Sequence, residues 1–239
     1  MRLNVAEYSD QEMTKHLGGA RAGKPSAMCS HEQSDFETRY SLGFTAASLR
    51  PELARIIAEC YLVEGNWERA KNRVLSTNAL QCRSASSLVR MERELRQRVT
   101  RLTFTQIKLL AHATSEDRAA MAWLAAQKQY KLVFEFAAEV LREKLSAHDP
   151  VLRQSDYEVF LENKAVVHPE LIYLSNVSKK KARQVLLLML TEGGLLRDGA
   201  AMGNIQRPVL SDATIQAIRN DSSHWFAGFL FSDEEIRCL

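Results

Sequence analysis

Apolar residues recur at spacings of three and four along most of the chain from Phe36 onward, the period of helices with one buried face. Leu53, Ile56, Ile57, Cys60 and Tyr61 form one such stripe. Pro51 stands at a first helical position, Glu52 follows in the first turn, and Gly65 is placed to end the segment. Asn66 is placed to cap a second helix whose stripe is Trp67, Ala70 and Val74. Ser84 to Ser87 precede a third helix, and Thr103 with Gln106 spells a capping box for a fourth. Ser115, Glu116 and Asp117 open an apolar-rich stretch to Leu145, read as two helices. Ser155 with Glu158 gives a second capping box, His168-Pro169 starts a short helix, and Ser178 starts another that runs to Gly193. The pattern then changes. Gly193-Gly194 stops the helix, and the segments Leu195–Arg197 and Asn204–Val209 flank a loop with Gly199 and Gly203, which reads as a β-hairpin. A short helix after Ser211 and a variable tail complete the chain. Period-2 alternation appears nowhere else over useful length. The predicted fold is mainly α, a compact multi-helix bundle with a small β-hairpin near the C-terminus, in an order that resembles a winged helix.

The first 33 residues differ from the rest. They hold Gly18, Gly19, Gly23 and Pro25 and show no sustained period, so they read as a short helix at best followed by a mobile linker. The expected organisation is an N-terminal extension over residues 1–34, a helical domain over 35–147, and a C-terminal helical domain with the hairpin over 148–239. With 239 residues, 46% of them hydrophobic and 26% charged, the chain can bury a real core. The apolar run Val185–Leu190 is far short of the roughly 20 residues that cross a bilayer, and Met1–Lys15 carries Glu7, Asp10 and Glu12, unlike a signal peptide. A cytoplasmic location with no membrane contact is the expectation. The cysteines at 29, 60, 82 and 238 have no paired spacing; Cys60 reads as a core residue, and Cys29 with His31 supplies too few ligands for a metal. No metal and no cofactor are expected.

Charge changes the picture more than composition does. Nine basic residues lie between Arg69 and Arg101 against Glu92 and Glu94 alone, a local excess of +7. Since the whole chain carries +3, the remainder carries −4. Such asymmetry points to a polyanionic partner. On the predicted helix from Ser87 to Leu102, Leu88, Met91, Leu95, Val99 and Leu102 share one narrow stripe. Arg90, Arg93 and Arg101 fall opposite, with Arg96 and Arg98 on the flanks, so all five are expected to face water or a ligand. Like charges at helical spacing repel by a few tenths of a kcal/mol each, roughly, unless an anion neutralises them. Arginine also suits bidentate phosphate contact. Lys179, Lys180 and Lys181, followed by Arg183, form a second cluster. With Ser178 as N-cap the three lysines occupy the first turn, where the helix dipole disfavours cations and attracts phosphate. The candidate DNA contacts are therefore Arg83, Arg90, Arg93, Arg96, Arg101, Lys179, Lys180, Lys181 and Arg183, with Arg197 on the hairpin. A merely solvated basic face is the competing reading.

Two motifs suggest catalysis and then fail. Gly18 to Lys24 matches the first seven positions of a phosphate-binding P-loop, but Pro25 stands where Ser or Thr must hold magnesium, and no apolar strand precedes it. Asp156, Glu162 and Lys164 resemble the acidic-x-Lys set of metal-dependent nucleases. They lie in a helical pattern rather than on adjacent strands, so a salt-bridged surface is the better reading. Trp67 and Trp123 lie on apolar stripes and read as core anchors. No catalytic residue is assigned.

The segment Tyr40-Ser41-Leu42-Gly43-Phe44-Thr45-Ala46-Ala47-Ser48-Leu49-Arg50, the pair Asn66-Trp67, and Asn78 to Arg83 with Ser86-Ser87 closely resemble the BrxA proteins of bacteriophage exclusion (BREX) systems. So do Glu139 to Lys144, His168 to Leu171 and Arg183 to Leu186. The resemblance runs from about Tyr40 to Leu210. It implies a helical protein comparable to the NusB antitermination fold, acting in phage defence beside a methyltransferase, a phosphatase-like protein and an ATPase. The function expected from resemblance and charge together is a non-catalytic accessory component that contacts duplex DNA, with other BREX proteins as partners and no small-molecule substrate. The alternative is a protein–protein adaptor, or an RNA-binding NusB-like module, within the same assembly.

Overall fold

The computed structural model describes residues 40–197 and 202–239. The expected N-terminal linker, the P-loop-like Gly18–Lys24, the Cys29–His31 pair and Gly199 in the hairpin loop lie outside them. After a 3-10 turn at Gly43–Ala46 come α1 (Pro51–Glu64), α2 (Trp67–Ser76), α3 (Ala85–Val99), α4 (Phe104–His112) and α5 (Ser115–Gln129). A continuous helical stretch follows, made of α6 (Lys131–Glu135), a π segment (Phe136–Leu141) and α7 (Arg142–Ser146). Next stand α8 (Gln154–Val167), a 3-10 turn (Pro169–Leu171), α9 (Asn176–Glu192), β1 (Leu196–Arg197) and β2 (Asn204–Ile205). The chain ends in α10 (Asp212–Arg219), a 3-10 turn (Ser223–Phe229) and α11 (Asp233–Cys238). The fold is mainly α with one short antiparallel hairpin, as the periodicity predicts.

Local chemistry sets most boundaries where the sequence places them. Pro51 opens α1 and Gly65 closes it with φ +63°, a conformation that favours glycine. The Asn66 side chain accepts hydrogen bonds from the backbone N–H groups of Glu68 and Arg69, and Thr103 and Gln106 form their reciprocal box. α5 opens at Ser115 as expected, with Thr114 as its cap. Two other caps differ from expectation. Asp156 reaches back to the Arg153 N–H to start α8, so the expected Ser155–Glu158 box is not the one used. Ser175, not Ser178, caps α9 by accepting the Ser178 N–H at 3.1 Å.

The core is built around α5. Ala120 to Gln127 are all buried, so this helix is apolar on every side, as a central helix must be. It packs against α4, α3 and α1 on one hand and the C-terminal 3-10 turn on another. Trp123 is fully buried and its indole N–H donates to the Gly228 carbonyl at 2.9 Å. The residues beyond Thr38 form one compact unit, and contacts cross the expected boundary at 147/148: α8 packs on the π segment, and Lys144 pairs with Asp149 and Asp156. The hairpin is anchored on both sides. Leu196 pairs with Ile205, while the Leu152 N–H donates to the Gly203 carbonyl and the Ile205 N–H to the Pro150 carbonyl.

Two consequences follow for stability. A methyl group added at Gly228 would overlap the Gln127 side chain, whose Cδ would lie 2.6 Å away in a place with no room to retreat. Gly228→Ala should therefore cost about 1–3 kcal/mol and lower the melting midpoint by several degrees, roughly 2–4 °C per kcal/mol. An unchanged midpoint would mean that α5 and the C-terminal turn are not in close contact.

Asp117 is the second. Burial works against its charge, but hydrogen bonds from Ser211, Thr214 and Thr114 outweigh that and hold its carboxyl below the ordinary value of 3.8. A depressed folded-state value adds stability that is present above the unfolded value and lost as pH falls toward the folded one. The stability gap between the natural protein and Asp117→Asn, measured by denaturant titration, should be constant from pH 7 to 5 and shrink below about 3.8. A gap independent of pH would remove the carboxylate from this role.

Candidate nucleic-acid interface

α3 carries the arginine-rich sequence and is anchored as expected. Ser84 caps it, and Leu88, Leu95 and Val99 are buried with Met91 beside them. The charged residues divide in a way that simple counting misses. Glu92 is 2% exposed and accepts from Arg96 at 2.6 Å. Glu94 is 7% exposed and accepts from Arg98 at 3.0 and 2.8 Å and from the Tyr130 hydroxyl. Burial and this carboxylate together push the Tyr130 hydroxyl well above its usual range.

Arg98 is not on a wet flank. It is 2% exposed, and besides Glu94 it donates to the carbonyls of Ser48 and Ala47, each at 2.7 Å. Its guanidinium lies 5.4 Å from the centre of the Tyr130 ring. The expectation that all five helix arginines face water or ligand is thus wrong for Arg98 and half wrong for Arg96. The physical reason is that the carboxylates are drawn inward with them: at about 100° per residue Glu92 falls inside the apolar stripe, about 40° from Leu88.

Of the nine basic residues between 69 and 101, Arg69 and Arg73 pair with Glu64, Lys71 with Glu68, Arg96 with Glu92 and Arg98 with Glu94. Arg83, Arg90, Arg93 and Arg101 are exposed, and among the described residues none has a carboxylate within 4.0 Å. Arg101 follows the helix in a turn, where its Nε donates to the Gln129 amide oxygen at 2.7 Å. Two residues near it escaped the sequence reading. Phe104 begins α4 with its ring exposed, and the Lys108 ammonium lies 4.5 Å from that ring's centre. Thr103 capping fixes Phe104 at the helix start, and no periodicity argument would single it out.

The second cluster sits one turn further into its helix than expected. With Ser175 as N-cap, Lys179, Lys180 and Lys181 occupy the second turn of α9, beyond the strongest part of the helix dipole. None has a carboxylate within 4.0 Å among the described residues, whereas Arg183 reaches Glu158 at 3.6 Å. Arg197 is exposed on β1. The nuclease-like set is divided: Asp156 and Lys164 line one cleft, where Asp156 pairs with Lys144 and Lys164 with Glu135 and Glu139, whereas Glu162 lines another, bordered by Tyr157, Lys179 and Lys180. Among the described residues no three His, Cys, Asp or Glu side chains cluster as a metal site. None of the described helices is long and apolar enough to cross a membrane.

The BrxA family model matches residues 38–222. The chain belongs to the BrxA family. It is 26% identical over 149 residues to the BREX protein BrxA of Bacillus cereus (strain H3081.97), spanning 62% of this chain and 74% of that protein. To the BREX protein BrxA of Escherichia coli O9:H4 (strain HS) it is 24% identical over 161 residues, 67% of this chain and 75% of the relative. Its fold is similar to the crystal structure of an uncharacterized protein from Magnetospirillum magneticum, with a TM-score of 0.70, 20% identity, and coverage of 80% of this chain and 98% of that one. BrxA membership starts at residue 38, next to Tyr40, whose N–H donates to Glu170 at 2.8 Å and whose hydroxyl bonds Glu135.

The division of the arginines makes opposite predictions for two kinds of substitution. Arg98→Ala leaves the Glu94 carboxylate buried without its partner and should cost about 3–5 kcal/mol. Arg90→Ala with Arg93→Ala should change stability by less than about 0.5 kcal/mol, or raise it as repulsion is relieved. Chemical denaturation of both variants checks this. Equal costs would show that α3 is rotated from the orientation described.

Proposed function

We propose that this BrxA-family protein is an accessory component of BREX phage defence that binds duplex DNA through its exposed cations, without a reaction of its own. The observation that carries the reading is the separation of charges around α3. Five of nine cations are matched to carboxylates, while Arg83, Arg90, Arg93 and Arg101 are exposed and, among the described residues, have none within 4.0 Å. A fold selecting only for stability would intersperse both signs on that face, since unmatched like charges cost energy at helical spacing. Phosphates supply the missing partners, and guanidinium forks match them bidentately. Arg96, Lys179, Lys180, Lys181, Arg183 and Arg197 extend the proposed contact set, with Arg96 and Arg183 contributing less because Glu92 and Glu158 already share their charge. The helix-then-hairpin order of α9, β1 and β2 supports a winged-helix-like approach in which backbone phosphates, not base edges, are touched.

Binding to random duplex should be tolerant of sequence and steeply salt-dependent. If four to six phosphates are neutralised, log K should fall with log salt at a slope of about −4 to −5. The triple variants Arg90→Ala/Arg93→Ala/Arg101→Ala and Lys179→Ala/Lys180→Ala/Lys181→Ala should each flatten that slope by about 0.9 per lost contact. A mobility-shift or anisotropy series over salt measures it. Affinity that is flat in salt, or unchanged in both variants, would transfer the basic faces to a protein partner. Binding to RNA with none to DNA would replace duplex by RNA.

A further inference from the structure

The corner where α3 gives way to α4 presents an aromatic ring among cations. Phe104, the first residue of α4, is 57% exposed. The Lys108 ammonium, one turn further along the helix, lies 4.5 Å from the centre of its ring. Arg101 stands three residues before it, and the exposed residues of α4 are Phe104, Thr105, Lys108 and His112. The chain holds no Asp or Glu between Glu94 and Glu116. Among the described residues neither Arg101 nor Lys108 has a carboxylate within 4.0 Å, and Asp221, which follows α10, is taken up by Lys128 at 2.6 Å.

This corner is also held in place. The Lys128 ammonium donates to the Arg101 carbonyl at 3.2 Å and to Gln106 Oε1 at 2.9 Å. The Thr103 N–H donates to the same Gln106 oxygen at 3.0 Å, closing the capping box that sets the backbone of Phe104. The Arg101 Nε is engaged by Gln129, which orients the guanidinium and leaves its terminal nitrogens for a phosphate. A single exposed apolar side chain is ordinary. What sets this one apart is a pinned backbone and an unmatched cation on each side of it, an arrangement that reduces the ordering cost of binding.

We propose that Phe104 stacks on an unpaired base of the bound DNA, with Arg101 meeting the adjoining phosphate and Lys108 backing the ring. The proposal rests on the duplex-binding reading and extends it: the preferred DNA carries a single-stranded segment beside its duplex. Cations interleaved with an exposed ring are what single-strand binding uses, and stacking tolerates any base because each has a flat face. The base is unpaired for a geometric reason. A wedge driven between base pairs needs both faces of the ring bare. Lys108 occupies one face of Phe104, so the other serves one base that has left its own stack. The occupant is nucleic acid because Arg101 belongs to both features: it flanks the ring and continues the exposed arginines of α3.

The test compares three DNAs on the full-length protein by anisotropy over a salt series: a blunt duplex, that duplex with a thymidine tail, and that duplex with an abasic tail. The two tails carry equal charge and differ only in their bases. The thymidine tail should bind at least about fivefold tighter than the abasic one. Phe104→Ala should abolish that difference and keep the salt slope on blunt duplex, while Phe104→Trp should retain both. Iodouracil in the tail, once irradiated, should crosslink to the tryptic peptide Leu102–Lys108 of the natural protein. Equal affinity for the two tails, a difference that survives Phe104→Ala, or crosslinks only elsewhere would overturn the proposal; salt-dependent binding of blunt duplex would then leave the duplex reading standing. Weakened blunt-duplex binding in Phe104→Ala would make the ring a duplex contact instead. Base-dependent tail binding with no affinity for blunt duplex would keep the stack and overturn the duplex reading, and no binding to any of the three would remove both.

Discussion

The guanidinium of Arg98 is the point on which the architecture turns. A charge taken out of water at 2% exposure is tolerable only when its donors are satisfied and its counter-ion is at hand. Here Glu94 supplies the charge, the carbonyls of Ala47 and Ser48 supply acceptors, and Tyr130 lies alongside. Those carbonyls belong to the turn that feeds α1. The same turn is held from its other side by Glu192 at the end of α9, which accepts from the Ser48 hydroxyl at 2.9 Å and the Arg50 N–H at 3.2 Å. Arg50 itself adopts a left-handed conformation, φ +48°, at a cost of about 1–3 kcal/mol that surrounding contacts must offset. One buried cation thereby fixes where α1, α3, α6 and α9 meet.

That interior arrangement also creates the exterior one. Glu92 and Glu94 are the only carboxylates α3 has, and both are spent inside. The exposed side of the helix is left with Arg90 and Arg93, continued by Arg83 before it and Arg101 after it. Had either glutamate faced water, the surface would be a mixed one with little pull on a polyanion. The positive character of that side is in this sense a product of how the core is satisfied.

Much of this fold is legible in the sequence because caps and periodicity act locally. Pro51, Gly65, Asn66 and the Thr103–Gln106 box need only their own neighbours to work, and each sits where the chain predicts. The misreadings share a different cause. Ser178 is as good an N-cap as Ser175 by residue type, and only the register of α9 against the rest of the molecule chooses between them. Arg98 looks like its neighbours until a carbonyl some fifty positions away is placed beside it. The cleft at Tyr157 was invisible for the same reason, since it joins two helices and a turn through contacts that no spacing rule encodes.

α9 shows how these layers connect. Its apolar centre, Val185, Leu186, Met189 and Leu190, is buried, so the helix cannot lie open along a groove for most of its length. Its last turn is tied through Glu192 to the Arg98 junction. Its first two turns, twelve residues and about 18 Å away, carry the lysines and border the apolar cleft. A helix clamped at one end and unmatched at the other is a rigid lever arm for recognition: the cations keep their spacing because the far end cannot slide. Asn176, Lys179, Lys180 and Arg183 line the cleft at that free end, while Lys181 lies off it, so neighbouring lysines of one run stand on different sides of the helix. Periodicity, which first suggested a single basic cluster, is what divides it.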